Sequence, residues 1–184
     1  AYSLADCMLA QREKEKESEG VDERQSDPNW AVPRTVLFQQ AAEHFNLAVL
    51  HMKKDQLDGF VVPICDEHMS EYVGDYAQRL GWLTGFGGSA GNAVVLSEEA
   101  AIFTDGRYTL QVREQVDGNN WQYVGVPETS ISDWLKDHAP QGARIGYDAW
   151  VHTKGWVESA TKALKAKGAD LVAVKSNPID AVWA

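Results

Sequence analysis

A chain of 184 residues with 44% hydrophobic content has enough apolar bulk for one domain with a core, which excludes a disordered polymer. Its formal net charge of −10 and pI near 4.9 argue against an electrostatic grip on nucleic acid or anionic lipid.

Residues 1–34 carry a charged leader. From Gln11 to Pro28 the chain reads QREKEKESEGVDERQSDP, with Val21 its only aliphatic residue, so this stretch cannot bury a face and is expected to be disordered and solvated. Cys7 and Cys65 are too few for a disulfide framework and point to a reducing compartment. No segment approaches the ~18 apolar residues of a membrane helix, and the first residues lack the basic-then-apolar order of a secretory signal. The expected location is the cytoplasm, with no membrane partner.

From Thr35 to Gln56, Val36, Leu37, Ala41, Phe45, Ala48, Val49 and Met52 recur at near-helical spacing, predicting one long amphipathic helix. Gly59 follows it, and Phe60–Pro63 reads as a buried strand closed by proline. Val94–Leu96 and Ala100–Phe103, with Ser97, Glu98 and Glu99 between them, predict a hairpin. Its second strand delivers Thr104 to Tyr108, where Gly106 is expected to permit a tight turn that a Cβ would resist. Beyond it, Leu110–Val116 predicts a helix, Trp121–Val124 a strand, Ser130–His138 a helix and Arg144–Asp148 a strand. Thr153–Lys167, stopped by Gly168, predicts a further helix, and Leu171–Val174 a last strand. This alternation predicts an α/β fold, a mixed β-sheet flanked by helices.

Several short motifs stand in order along the chain. They are Asp66-Glu67-His68 with Ser70-Glu71-Tyr72, Trp82-Leu83-Thr84-Gly85-Phe86, Gly88-Ser89-Ala90-Gly91, and Thr104-Asp105-Gly106-Arg107-Tyr108 with Leu110-Gln111. Trp134-Leu135, Gly146-Tyr147-Asp148 and the closing Asn177-Pro178-Ile179-Asp180-Ala181-Val182-Trp183 continue the series. Together they resemble the N-terminal domain of the Xaa-Pro aminopeptidases, in the creatinase and prolidase group of metallopeptidases, over roughly residues 35 to 184. The resemblance departs from the usual pattern at Thr109, where relatives commonly carry an aromatic, and at Gly87, where many carry a polar residue. It implies a creatinase/prolidase N-terminal-like domain over 35–176 and, over 177–184, the start of a linker to a catalytic domain.

Gly87-Gly88-Ser89-Ala90-Gly91 fits the G-x-S-x-G elbow of serine hydrolases, but an elbow needs a strand before the serine and a helix after it, whereas Ala93–Leu96 reads as strand. The same glycines lack the Gly-Lys-Ser/Thr ending of a phosphate cradle. Asp66, Glu67, His68 and Glu71 offer metal donors without a second cluster to complete a site, and His44, His51, His138 and His152 are scattered. Trp82, Trp121, Trp134, Trp150, Trp156 and Trp183 are most simply core or interdomain packing residues, with Trp82 also placed to form an aromatic wall for a peptide.

No catalytic and no metal-ligating residue is therefore assigned, and the site residue is Arg107. An arbitrary Arg there would form a salt bridge to Asp105 or another carboxylate. The resemblance implies instead that its planar guanidinium contacts a peptide substrate, binding carbonyl or carboxylate groups as Lys does not. The resemblance further implies hydrolysis of the bond before a proline at position two, by two divalent metal ions, manganese being the expected pair, held in a C-terminal pita-bread domain. This chain would then be a non-catalytic domain limiting substrate access, contacting the peptide and joining a homodimer. A different class, a stand-alone binding or scaffolding module of the same fold, is the alternative.

Overall fold

The computed structural model describes residues 34–183, so the expected charged leader lies outside the described residues except for Arg34, which opens the first helix. In chain order the elements are α1 (Arg34–Lys54), β1 (Gly59–Pro63), α2 (Arg79–Thr84), β2 (Asn92–Leu96), β3 (Ala100–Thr104), α3 (Thr109–Gln115), β4 (Gln122–Gly125), α4 (Ile131–His138), β5 (Arg144–Tyr147), α5 (Lys154–Ala166) and β6 (Asp170–Ala173). Every element predicted from periodicity is present with its ends within two residues of the expected ones. Helix α2 was not predicted: it is six residues long, has Gly81 in its middle and ends at Gly85, whose φ of 80° is the left-handed stop that glycine adopts freely.

The six strands form one mixed sheet in the order β4-β3-β2-β1-β5-β6. Strand β2 is antiparallel to both β1 and β3, while the β3–β4, β1–β5 and β5–β6 pairs are parallel. Five strands therefore run one way and β2 alone runs the other.

Alternation along the central strands divides the core into two faces. Phe60 and Val62 of β1, Ala93 and Val95 of β2, and Ala100 and Ile102 of β3 join Met52, Leu80, Leu83, Phe86, Val112 and Trp121 on one side. Val61, Val94, Leu96, Ala101, Phe103 and Ile145 join Trp134, Leu135, Ala139 and Leu164 on the other. Because successive side chains of a strand point to opposite faces, a strand apolar at every position is one covered by helices on both sides. The register places Phe60 opposite Val95 and Ala93 opposite Ile102, so same-face residues meet across the strands.

Strand direction decides where the functional loops lie. The segments after β1, β3, β4, β5 and β6 and the one entering β2 all emerge at a single edge of the sheet, the carboxyl edge of the five co-directional strands. That edge is where open α/β sheets present ligand-binding loops. The segment Asn177–Trp183 also packs there: Asn177 and Ile179 are buried, and Trp183 stacks on Trp82 with centroids 6.2 Å apart.

Candidate functional site

Strand β3 ends at Thr104, and Asp105 follows with its carboxylate accepting the backbone N–H of Arg107 at 2.9 Å. This caps the 3₁₀ turn Gly106–Tyr108, which leads directly into α3. Gly106 is not what makes the turn possible, contrary to the expectation from sequence. Its φ is not positive and a Cβ there would meet nothing within 4 Å, so the Asp105 cap shapes the turn.

The same carboxylate holds the Arg107 side chain. Nε donates to Oδ1 at 3.0 Å and Nη2 to Oδ2 at 2.7 Å, a side-on, two-point pair. Hydrogen bonding from the Arg107 guanidinium holds the Asp105 carboxyl below its ordinary value of 3.8, and the bond to Asp105 in turn raises Arg107. Arg107 is 70% exposed against 30% for Asp105, so the pair is presented to solvent rather than sunk in the core. A guanidinium has five N–H groups in a planar fork. With Nε and one N–H of Nη2 engaged by Asp105, the end-on edge formed by Nη1 and the other N–H of Nη2 is not part of that pair.

Tyr108 forms the base of this mount. The Arg107 Cζ lies 5.3 Å from the Tyr108 ring centroid, a cation–π distance. The Tyr108 hydroxyl and the Ser89 hydroxyl are 2.6 Å apart, and the ring meets Phe86 edge-on at 5.6 Å. Gly88 is required here, since a Cβ would overlap Phe86 Cζ and lie 2.9 Å from Tyr108 Cδ1. The Gly87 N–H donates to Gln115 Oε1 at 2.9 Å, tying the glycine loop to α3. The loop after α2 thus sets the direction of the turn after β3. Ser89 has a tyrosine, not a histidine, as its partner, and the loop runs from helix to strand, so the elbow geometry of a serine nucleophile is not formed.

The donors after β1 do not converge. Asp66 is 3% exposed and spends Oδ1 on the backbone N–H groups of His68 and Ser70, at 3.0 and 2.9 Å. The bond from Ser70 is the largest cause holding its carboxyl below 3.8. The segment is a turn rather than a helix, so His68 and Glu71 share no face, and Glu67 accepts from the Tyr76 hydroxyl at 3.1 Å. Among the described residues no group of three or more His, Cys, Asp or Glu is placed to hold a metal, and a dinuclear pair does not fit these side chains. Cys65 directs its thiol at Met69 Sδ, 3.0 Å away, and Cys7 lies outside the described residues.

Further along the edge, sequence reasoning missed a second cluster. Arg79 of α2 pairs with Asp180 through Nε at 2.6 Å and Nη2 at 3.0 Å. Asn177 donates to Asp148 Oδ2 at 3.0 Å and accepts the Ile179 N–H, while Asp148 Oδ1 accepts the Trp150 N–H at 2.9 Å. Arg79, Asp148, Asn177 and Asp180 line a cleft of about 450 Å³, with Trp150 standing 77% exposed at its rim. Trp82, Trp121 and Trp134 are buried as expected of core residues, and Trp82 stacks on His44 at 4.0 Å while its carbonyl bonds His44 Nδ1 at 2.6 Å.

Comparison with known proteins places this arrangement in context. The family model described as the Creatinase/Prolidase N-terminal domain matches residues 48–182. The chain is 39% identical over 132 residues to Xaa-Pro aminopeptidase 2 of Homo sapiens, covering 72% of this chain and 20% of the relative. It is 39% identical over 135 residues to a probable Xaa-Pro aminopeptidase P of Laccaria bicolor, covering 72% of this chain and 21% of the relative. Among solved structures, the X-prolyl aminopeptidase of Caenorhabditis elegans, described as a cytosolic enzyme with a di-nuclear active site, superposes with a TM-score of 0.72 at 32% identity. That match covers 78% of this chain and 25% of the other. The N-terminal domain of the peptidase PepQ from Mycobacterium tuberculosis H37Rv shares the fold at 20% identity and a TM-score of 0.59, over 76% of this chain and 98% of that one. The chain spans about a fifth of the length of the curated relatives it matches.

Proposed function

The chain belongs to the creatinase/prolidase N-terminal domain family, and from that membership we propose that it serves as the non-catalytic N-terminal domain of an Xaa-Pro aminopeptidase. In this reading the whole enzyme removes the first residue from peptides with proline at position two. Residues 35–176 carry the domain, and 177–184 lead toward a C-terminal pita-bread catalytic domain. That domain would hold two divalent metal ions, with manganese as the proposed pair, and no step of the chemistry is assigned to side chains of this chain. The domain limits substrate access, contacts the peptide, and takes part in a homodimer in the cytoplasm. Neither nucleic acid nor membrane is a proposed partner, and no helix of the described residues is long and apolar enough to cross a membrane.

The observation that carries the reading is the presentation of Arg107. Its side chain is 70% exposed in the turn after β3, at the carboxyl edge of the sheet, and its side-on edge is held by Asp105. A guanidinium pre-oriented in this way binds a carbonyl or carboxylate oxygen without first losing its own rotamer freedom. The test is Arg107→Ala in the full-length polypeptide. A fall in kcat/KM of tenfold or more on an Xaa-Pro peptide is expected, and a change within about twofold, well below 1 kcal/mol, would show that Arg107 does not contact substrate. The isolated chain is expected to release no amino acid from an Xaa-Pro peptide with Mn²⁺ present, and release would contradict the reading.

A further inference from the structure

We infer that Asp105 is a specificity-determining residue: by occupying the side-on edge of Arg107 it removes that guanidinium's preference for a terminal carboxylate over a neutral peptide carbonyl. The inference rests on the proposed contact between Arg107 and peptide, and goes beyond it by naming the group that is read.

The geometry supplies the argument. A carboxylate accepted on the free end-on edge of Arg107 would lie about 4 Å from the guanidinium carbon and, across the plane of the group, about 7 Å from the Asp105 carboxylate. Coulomb energy falls as 1/r, so repulsion from Asp105 cancels more than half of the attraction. A carbonyl carries no net charge, accepts the same N–H groups, and escapes that repulsion. Asp105 cannot swing aside to relieve it, because Oδ1 is also held by the Arg107 backbone N–H at 2.9 Å. The chain's net charge of −10 adds a longer-range bias against an anionic ligand. The depressed pKa of Asp105 keeps the carboxylate ionised at neutral pH, so the cancellation is present under working conditions.

The experiment uses the 184-residue chain, uniformly ¹⁵N-labelled, with two probes: the tripeptide Gly-Pro-Gly and its C-terminal amide. Backbone amide shifts of Gly106 to Leu110 report binding. In the wild-type chain the acid and the amide should bind with Kd values within twofold. In Asp105→Asn, where the amide oxygen still caps the turn and the charge is gone, the acid should bind at least fivefold more tightly than the amide. A wild-type preference for the acid above fivefold, or an unchanged ratio in Asp105→Asn, overturns the inference. Arg107→Gln separates the two levels. If it abolishes binding of both probes while Asp105→Asn leaves the ratio unmoved, the role of Asp105 is wrong and the Arg107 contact stands. If neither probe shifts these amides, or Arg107→Gln binds both as well as wild type, both readings fall.

Discussion

Arg79 and Asp180 stand 101 positions apart in sequence and meet in a two-point ion pair, Nε to Oδ1 at 2.6 Å and Nη2 to Oδ2 at 3.0 Å. The pair fastens the last turn of the described chain to α2. Arg79 is only 12% exposed while Asp180 is 44% exposed, and Arg79 Nη1 is buried without a hydrogen-bond partner. The two ends are therefore unequal. Removing Asp180 strands a mostly buried cation, whereas replacing Arg79 with an apolar chain leaves a carboxylate that water can reach. Asp180→Ala should cost about 1–3 kcal/mol, and Arg79→Met should cost less. Chemical denaturation of the two variants, with equal m-values, checks the order.

Two glycines near the site should respond in opposite ways. Gly88→Ala drives a methyl into Phe86 and Tyr108, which the loop can relieve only by moving, and should destabilise by about 1–3 kcal/mol. Gly106→Ala meets open space at an ordinary φ and should be neutral or stabilising by up to about 1 kcal/mol. Thermal melts of the pair decide it; a Gly106→Ala loss as large as that of Gly88→Ala would return the turn's shape to the glycine.

The contact between Ser89 and Tyr108 is a single hydroxyl–hydroxyl bond, so the two side chains should act as one unit. Ser89→Ala and Tyr108→Phe are each expected to cost about 0.5–1.5 kcal/mol, and the double variant no more than the larger of them. Additive losses in the double-mutant cycle would mean that the bond is not formed in solution. A fluorophosphonate probe should leave Ser89 unlabelled.

Acid should weaken the fold in two separate windows. Burial pushes His44 and His152 below 6.5, opposed by the backbone carbonyls of Trp82 and Asp148 that each ring bonds. Since their folded pKa values lie below the unfolded one, the unfolded chain binds more protons in between. The stabilisation is complete above about pH 6.5 and is lost as pH falls through the folded values. Asp66 and Asp105, held below 3.8 chiefly by hydrogen bonds, lose their contribution only below about pH 4. A melting temperature recorded from pH 8 to 3 should fall in two steps, and the double variant His44→Gln, His152→Gln should lack the first.

What was legible in the sequence followed from local rules. The spacing of Phe45, Val49 and Met52 disclosed α1, and the polar turn at Ser97–Glu99 disclosed the β2–β3 hairpin, because both depend on residues a few positions apart. Helix α2 escaped because its burial, with Leu80 to Thr84 all inside the core, comes from tertiary contacts and not from an amphipathic period. The placement of β1 between β2 and β5 had no local signal, nor did the Arg79–Asp180 pair. At the site, Asp105 was visible as a possible partner of Arg107. That the same carboxylate caps the turn, and that Tyr108 rests on Ser89, depended on backbone geometry that residue types alone do not specify.

The lone reversed strand has a practical corollary for anyone building on this scaffold. Because β2 opposes its neighbours, the Ser97–Glu99 hairpin tip lies at the sheet's far rim, away from the Arg107 turn. A fluorophore or affinity handle grafted at Ser97 or Glu98, both exposed, would leave the rim that bears Arg107 untouched and give immobilised protein a defined orientation.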